Sequence, residues 1–424
     1  MKILKTLSII VMLMCNYIKA DVFDEKEEAN PFNKNQMAIA LGGNDVTNPF
    51  EENQAITVSA ARLILCNLVA LQNENGKKQE LEEAKANALN YLQQQNVLIR
   101  GKKLKVIIPK DSDIANLLRY IISQKILTNF EKSIYIGEQH ELDFLLQLMD
   151  KDINPFETVV LYVDLRNLIK NLTIIEHNGN RHLVNFCNLL SNDQSIKKLV
   201  WVSDFEQISA HSMEYLAQPL KTNKNLKELY LGFGGGTDIA PLGECLTYNH
   251  SLEKLCVEGT ISSQPLDITP LFVGPEMQRL LNNLDLLALK GNISIDPERK
   301  RYINYAYLPK SFYLAGVPKE IFINFCLPIG ASENIETFIF SCRGEFDVKD
   351  CEYLAKAIWA NGNNDHRLQH VQYVGNPISE TEVLKRARIH NKNIKTLIMG
   401  SFYSEYLLIP GIFRSKFNFE MEHM

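Results

Sequence analysis

Three stretches of the sequence repeat one phrase: SIKKLVW at 195–201, NLKELYL at 225–231 and SLEKLCV at 251–257. In each phrase the apolar residue at the second position is followed by apolar residues three and five positions later. A helix-like run precedes each phrase. The repeated unit is therefore a helix followed by a short strand. Apolar residues lie six positions before each phrase's first apolar residue, and Asp or Asn stands midway between them: Leu190, Leu220 and Leu246, with Asp193, Asn223 and Asn249.

The same frame continues toward the C-terminus. Its fullest later matches begin at Leu284 and Leu368, good ones begin at Ile335 and Ile394, and a marginal one begins at Pro309. Counted from the first phrase, the first apolar positions are separated by 30, 26, 32, 25, 26, 33 and 26 residues. A single helix–strand unit of this length cannot bury its apolar side, so the units are expected to stack into one parallel sheet.

The chain resembles the leucine-rich repeat family, nearest the ribonuclease-inhibitor-like type, in which every repeat contains a helix. The resemblance covers 185–400 well and 100–184 weakly. It implies an α/β fold, a leucine-rich-repeat solenoid with a curved parallel sheet inside and helices outside. The phrases that carry it lie at 223–231, 249–257, 284–292 and 368–376.

In that family an asparagine closes the phrase and bonds neighbouring turns through its side chain. Only Asn292 and Asn376 match this position here. We therefore expect less regular turns than the resemblance alone implies. The residues that replace the asparagine elsewhere are Gly234, Thr260, Arg343 and Phe402.

The sequence divides into segments of different character. A leader at 1–20 precedes a polar, partly disordered segment at 21–54. A helical pair at 55–98 is expected to cover the N-terminal end of the array, because a terminal repeat would otherwise expose its core layer. Degenerate repeats at 99–183 begin with a strand at 104–108. Leucine-rich repeats follow at 184–407, and a tail occupies 408–424.

The first residues are typical of a secretory leader. Lys2 and Lys5 precede a short apolar block at 7–14, and the small residue Ala20 comes before the acidic Asp21. This pattern predicts a secreted or exported protein, periplasmic or extracellular in a bacterium. No later apolar run approaches the roughly 18–20 residues of a membrane span, so no stable span is expected after leader removal.

The charge of the chain limits its partners. The net charge is −5, and removing Lys2, Lys5 and Lys19 with the leader leaves 42 of the 45 basic residues against 50 acidic ones, or −8. Because phosphate binding requires a basic face, nucleic acid is not expected as the main ligand. The oligomeric state is not predicted by these features.

Outward-facing positions of the predicted strands suggest a binding surface. Alternate side chains of a strand point to opposite faces, so the residue between the two inward positions points outward. This central row is largely apolar, which is typical of a contact surface on a soluble protein, although strand propensity alone would also favour such residues. It reads Val200, Tyr230, Cys256, Ala288, Tyr313, Ile339, Gln372 and Ile398, and a mixed polar row beside it includes Lys198, Glu228, Lys254 and His370.

Catalytic, cofactor and metal chemistry is not predicted. The glycine-rich stretch at 232–237 lacks both the third glycine of a dinucleotide loop and the Gly-Lys-Ser/Thr of a nucleotide P-loop. Cys342 and Cys351 could pair or join a metal site, but buried free thiols are favoured because no C-x-x-C or close histidine accompanies them. A thiol site of Asp350, Cys351 and His370 has nothing local to activate its sulfur.

Asn-Pro-Phe occurs at 30–32, 48–50 and 154–156. This tripeptide resembles the ligand of EH-domain adaptors, yet it also favours a simple turn. The sequence thus predicts a non-enzymatic module that binds a protein of unknown identity on the concave face of a solenoid. The alternatives are an enzyme that uses the repeats to deliver substrate and a bacterial effector that mimics Asn-Pro-Phe trafficking ligands.

Overall fold

The computed structural model of the protein describes residues 59–74, 76–101, 103–162, 181–202, 210–260, 264–298, 307–363 and 367–400. The chain divides into two compact units, one ending at Phe130 and the other beginning at Glu131. The predicted leader, the polar segment, two of the Asn-Pro-Phe copies and the C-terminal tail lie outside the described residues. What the sequence predicts for those segments stays a prediction.

The first unit is built on three helices, α1 (Ala60–Asn73), α2 (Lys78–Gln94) and α3 (Ser112–Ser123). Helix α1 begins after Ser59, whose Oγ accepts a hydrogen bond from the Arg62 backbone N at 3.2 Å. Ser59 Oγ also donates to Asp113 Oδ2 at 2.7 Å, which joins the starts of α1 and α3. Two helices thus lie where the sequence predicts a helical pair; the covering role expected of them stays a prediction.

The strand predicted at 104–108 does not begin the repeat sheet. It is β2 (Lys105–Val106), and it pairs antiparallel with β1 (Leu98–Ile99) in a separate two-stranded sheet. The prediction that this strand opens the repeat array is therefore wrong. A connection of only a few residues allows antiparallel pairing, whereas a parallel pair needs a crossover of about a dozen residues.

The second unit contains one sheet of ten strands, all parallel and each hydrogen-bonded to the next along the chain. Two short strands, β8 (Leu266–Asp267) and β10 (Ile293–Ser294), pair separately. The sheet strands are β3 (Ser133–Ile136), β4 (Thr158–Tyr162), β5 (Lys198–Val202), β6 (Glu228–Phe233), β7 (Lys254–Gly259), β9 (Leu286–Gly291), β11 (Ser311–Pro318), β12 (Thr337–Arg343), β13 (His370–Tyr373) and β14 (Thr396–Met399).

Within the described residues, helices alternate with these strands as the repeat frame predicts, except in the connection from β9 to β11. Each returns the chain so that the next strand can add in the same direction. They are α4 (Gln139–Met149), α5 (Arg181–Asn192), α6 (Ala210–Thr222), α7 (Ala240–Leu246), α8 (Pro275–Asn283), α9 (Lys319–Ala331), α10 (Val348–Asn363) and α11 (Glu382–His390).

The inward side chains of successive strands stack in register. Leu229 pairs with Leu255, and Leu255 pairs with Leu287; all three are completely buried. The recurring apolar triplet of the sequence is therefore the core of one continuous sheet, as predicted. Together with the repeated helix–strand order, this register identifies the second unit as a leucine-rich-repeat solenoid.

Phenylalanine replaces leucine in the core of the later repeats. The ring centroid of Phe312 on β11 lies 4.9 Å from that of Phe325 on α9, so this helix packs on the inward face of the sheet. The rings of Phe338 and Phe340 on β12 lie 5.0 Å apart, and Phe340 continues to Tyr373 at 5.3 Å. Aromatic rings thus form the core from β11 to β13.

A ladder of asparagines before the strands ties the repeats together. The Nδ2 of Asn223 donates to the carbonyl oxygen of Leu190 in the preceding repeat at 2.6 Å, and its Oδ1 accepts from Leu226 N at 2.8 Å. Asn361 and Asn391 donate in the same way to Ile329 and Ile358. Two of these acceptors, Leu190 and Ile329, lie among the last four residues of their helices, whose carbonyl groups have no intrahelical partner.

The asparagines that close the phrase contribute less. Asn292 donates from Nδ2 to the Gln264 carbonyl oxygen at 3.3 Å, whereas Asn376 is exposed. The regular ladder therefore occupies the gap before each strand, where Asn223 and Asn249 recur in the sequence, and not the position that the family resemblance indicates.

Candidate functional site

The outward rows of the sheet are aligned as the sequence predicts. In the central row, Tyr230 pairs with Val200 on one side and with Cys256 on the other. Tyr313 pairs with Ala288 and with Ile339. Gln372 and Ile398 continue the row on β13 and β14. One line of side chains thus crosses the sheet from β5 to β14.

The first part of this row is buried, and the prediction that these outward-facing side chains form an exposed binding surface is wrong there. Tyr230 is 1% exposed and Cys256 is 0% exposed. Strand alternation fixes which face a side chain lies on, but not its depth. Neighbouring strands are about 4.8 Å apart, so large side chains in one row cover each other's flanks. The buried cluster consists of Val160, Val200, Val202, Tyr230, Cys256, Leu286, Ala288 and Tyr313.

The last part of the row is accessible. Ile339 on β12 is partly buried and packs against the buried cluster, and Gln372 on β13 has intermediate burial. Ile398 on β14 is 39% exposed, and His370 beside the row is exposed. Apolar outward side chains therefore reach solvent at β12–β14, which we call the open face: Ile339, His370, Gln372 and Ile398.

Three charged side chains of the flanking row form a ladder across β5, β6 and β7. Glu228 lies between two lysines, with Lys254 Nζ 2.6 Å from Oε1 and Lys198 Nζ 3.8 Å from Oε2. Burial lowers the pKa of Lys198, while the nearby Glu228 carboxylate opposes that shift. On the other side of the central row, Lys290 Nζ lies 3.1 Å from Glu258 Oε1. Charged residues thus border the buried cluster on both sides.

A histidine lies at the edge of the open face. His370 Nδ1 is 3.2 Å from Thr396 Oγ1 on the neighbouring strand, in the row beside Gln372 and Ile398. This contact holds the imidazole across the β13–β14 pair. The exposed ring presents both an apolar surface and a hydrogen-bonding nitrogen to a ligand.

Burial raises the pKa of the thiols of Cys342 and Cys351. Cys342 and Cys351 are both free, and burial raises the pKa of the Cys351 thiol to about 11. Asp350, proposed as a neighbour in a thiol site, instead accepts from Asp347 N at 2.7 Å and pairs with Lys319 Nζ at 2.8 Å. Among the described cysteines Cys66 alone is disulfide-bonded. A thiol protonated at neutral pH is a poor nucleophile.

Other candidate sites in the sequence have structural roles. Gly236 adopts φ +79° in the turn before α7, a helix of seven residues. In the third Asn-Pro-Phe copy, Asn154 Oδ1 accepts from Phe156 N at 3.0 Å, and the Phe156 ring is buried. Within the described ranges, no group of three or more His, Cys, Asp or Glu side chains is placed to hold a metal ion.

Among the exposed aromatic side chains that sequence reasoning missed is Trp359 on α10. The buried stripe of this helix includes Cys351, Leu354 and Ile358. Trp359 lies one position beyond that stripe, on the solvent side. The helical spacing of the sequence could therefore have predicted that Trp359 is exposed.

No protein-family profile and no curated protein matches the chain. Among solved structures, an internalin (inlF) from Listeria monocytogenes is 14% identical, with a TM-score of 0.34 over 69% of this chain and 76% of that one. An internalin C2 (inlC2) from the same species is 15% identical, with a TM-score of 0.25 over 55% of this chain and 92% of that one. The strand register and the stacked core establish the solenoid fold.

Proposed function

We propose that the protein is a non-enzymatic recognition module that binds a protein partner through the open face of its repeats. The observation that carries this proposal is the exposed apolar Ile398 at the end of a row that crosses the whole sheet in register. Ile339, His370 and Gln372 extend the surface inward. Apolar residues beside polar and aromatic groups are typical of a protein-binding centre with a polar rim.

The buried part of the row supports this surface from within. Val200, Tyr230, Cys256 and Tyr313 pack against one another and hold the strands at a fixed spacing. Glu228 and Lys254 are less buried and lie in the flanking row, where they would form the charged rim of a larger contact. A rigid support lowers the entropy that is lost when a partner binds.

The proposal includes a ribonuclease-inhibitor-like solenoid whose concave side carries the open face, and export of the protein. Helices described in eight of the nine connections between sheet strands support the first statement, and the basic and apolar start of the sequence supports the second. No helix in the described part of the chain has the length and apolar character needed to cross a membrane.

The test is capture of a partner by crosslinking in extracts or culture fluid of the native host. An Ile398→Asp variant should lose the crosslinked partner, because a charge within an apolar contact is desolvated without compensation. Leu63→Asp is the matched control, since Leu63 is 43% exposed in the first unit and Ile398 is 39% exposed. Equal capture by the Ile398→Asp variant and the unchanged protein would reject the open face.

A further inference from the structure

Exposed apolar side chains are concentrated on three neighbouring helices, α9, α10 and α11. Twelve large apolar residues are exposed in the described part of the chain, and six of them lie on these helices. Leu327 is 69% exposed and Ile389 is 75% exposed, the highest values among the twelve. With two aromatic and two basic neighbours they define the helical patch: Leu327, Tyr353, Lys356, Trp359, Arg386 and Ile389.

Helix-to-helix contacts make the helical patch continuous. The Trp359 ring stacks on His390 of α11, with centroids 3.9 Å apart and planes 4° from parallel. On the other side of α10, a Cβ at Gly330 of α9 would lie 3.0 Å from the Ala360 Cβ, so these helices touch. Leu327 lies one turn before Gly330 on the same side of α9. The exposed side chains thus form one surface across three helices.

Basic residues outnumber acidic ones on the three helices of the helical patch, although the chain as a whole is acidic. Helices α9, α10 and α11 together contain six Lys or Arg and four Asp or Glu, a net charge of +2 that comes from α11, whereas the whole chain carries −5. Arg386 Nε lies 3.5 Å from Glu382, on an exposed pair that water screens strongly. Lys356 Nζ lies 5.5 Å from the centre of the Tyr353 ring. Positive charge is therefore concentrated on α11, the helix that carries Ile389.

We propose that the helical patch binds the surface of a bilayer that contains anionic lipid. Tryptophan and tyrosine favour the interface between headgroups and acyl chains, while lysine and arginine are attracted to anionic headgroups. Leu327 on α9 and Ile389 on α11 are highly exposed, and such side chains enter a fluid surface that needs no matching pockets. An acidic protein surface is the competing partner, but it would have to provide a fixed pocket for each of them.

The full chain should bind phosphatidylserine-containing vesicles in sedimentation assays and should not bind pure phosphatidylcholine vesicles. The two tryptophans of the chain allow a direct readout, because Trp201 is buried and Trp359 is exposed. Acrylamide quenching of fluorescence should decrease when vesicles are added, as Trp359 becomes shielded. Raising the salt concentration should weaken the binding, since the attraction between charges is screened.

Two double variants test separately what the apolar and the basic side chains contribute to vesicle binding. Leu327→Glu with Ile389→Glu should abolish binding, and Lys356→Glu with Arg386→Glu should weaken it at least about tenfold, as expected from the loss of one lysine and one arginine attraction to the headgroups. Tyr248→Glu is the matched control, because Tyr248 is 62% exposed beside Lys221 on a different helix end and should leave binding unchanged. Circular dichroism verifies that each variant is folded.

The proposal is rejected by any of three results: no sedimentation with phosphatidylserine vesicles, equal binding to both lipids, or undiminished binding of the Leu327→Glu and Ile389→Glu variant. Crosslinked capture by the open face is a separate measurement. A helical-patch variant that fails to bind vesicles should still capture the protein partner, so the two proposals can fail independently.

Discussion

The side chain of Asn249 bonds to two successive repeats of the solenoid. Its Nδ2 donates to the Leu220 carbonyl oxygen at 2.8 Å, and its Oδ1 accepts from the Leu252 backbone N at 3.0 Å. The side chain is buried, so water cannot replace either bond. Such an amide links the end of one helix to the start of the next strand and fixes the spacing of the repeats.

Replacing Asn249 with alanine should therefore destabilise the protein by about 2–4 kcal/mol, because it leaves buried backbone groups without partners. The exposed Asn376 provides the control, and Asn376→Ala should change the free energy of unfolding by less than about 0.5 kcal/mol. Urea denaturation followed by circular dichroism measures both. Equal effects of the two substitutions would show that the ladder contributes nothing specific.

The aromatic core of the later repeats predicts a second stability effect. Phe338 is completely buried, and its ring lies 5.9 Å from that of Phe312. Phe338→Ala should lower the free energy of unfolding by about 3–5 kcal/mol through lost contacts and the cavity that remains. Tyr307→Ala, at an exposed position, should have little effect. A small loss for Phe338→Ala in the same denaturation experiment would contradict the described packing.

Thiol alkylation tests the burial of the cysteines. Burial raises the pKa of the Cys187 thiol to about 12, and burial with the nearby Asp350 raises that of Cys351 to about 11. At pH 8 both thiols are protonated, and both residues are buried, so iodoacetamide should label them slowly in the native protein. Labelling should become fast in denaturant. Rapid native labelling of Cys351, located by mass spectrometry, would contradict its position.

The carboxylate of Asp347, just before α10, should make the stability of the protein depend on pH. Hydrogen bonds from the backbone N–H groups of Asp350 and Lys349, together with the nearby Lys319, lower the pKa of Asp347 from its ordinary 3.8. Because the folded-state pKa is the lower one, this carboxylate stabilises the fold above about pH 3.8, and the contribution is lost as the pH falls through the folded-state pKa.

Asp347→Asn should accordingly destabilise the protein at pH 6, and the difference from the unchanged protein should shrink below pH 3.8. Chemical denaturation at several pH values measures this difference. Glu345→Gln is the control, since Glu345 is an exposed carboxylate nearby. A difference that stays constant between pH 6 and pH 3 would exclude the predicted role of the Asp347 charge.

The repeated phrase contains enough information to predict the sheet and its register. Apolar residues three and five positions apart can stack only if each phrase supplies one strand of a common core, which is why Leu229, Leu255 and Leu287 align. The depth of the outward row could not be predicted in this way. Alternation assigns Tyr230 to a face, while its burial depends on side chains from several strands.

The other differences between the predicted and the observed structure concern the strand at 104–108 and the asparagine ladder. The strand at 104–108 matches the repeat spacing, but the nearby β1 is available to it as an antiparallel partner. The sequence indicated part of the asparagine ladder, because Asn223 and Asn249 lie at the same distance before their phrases. Asn361 could not be recognised in this way, since it lies seven positions before Leu368 and not three.

An experimental structure of the full chain at side-chain resolution tests the central claim most directly. It should show Leu229, Leu255 and Leu287 on adjacent parallel strands about 4.8 Å apart, with their side chains in one core. Finding these three leucines on antiparallel strands or in separate cores would contradict the solenoid and every surface derived from it.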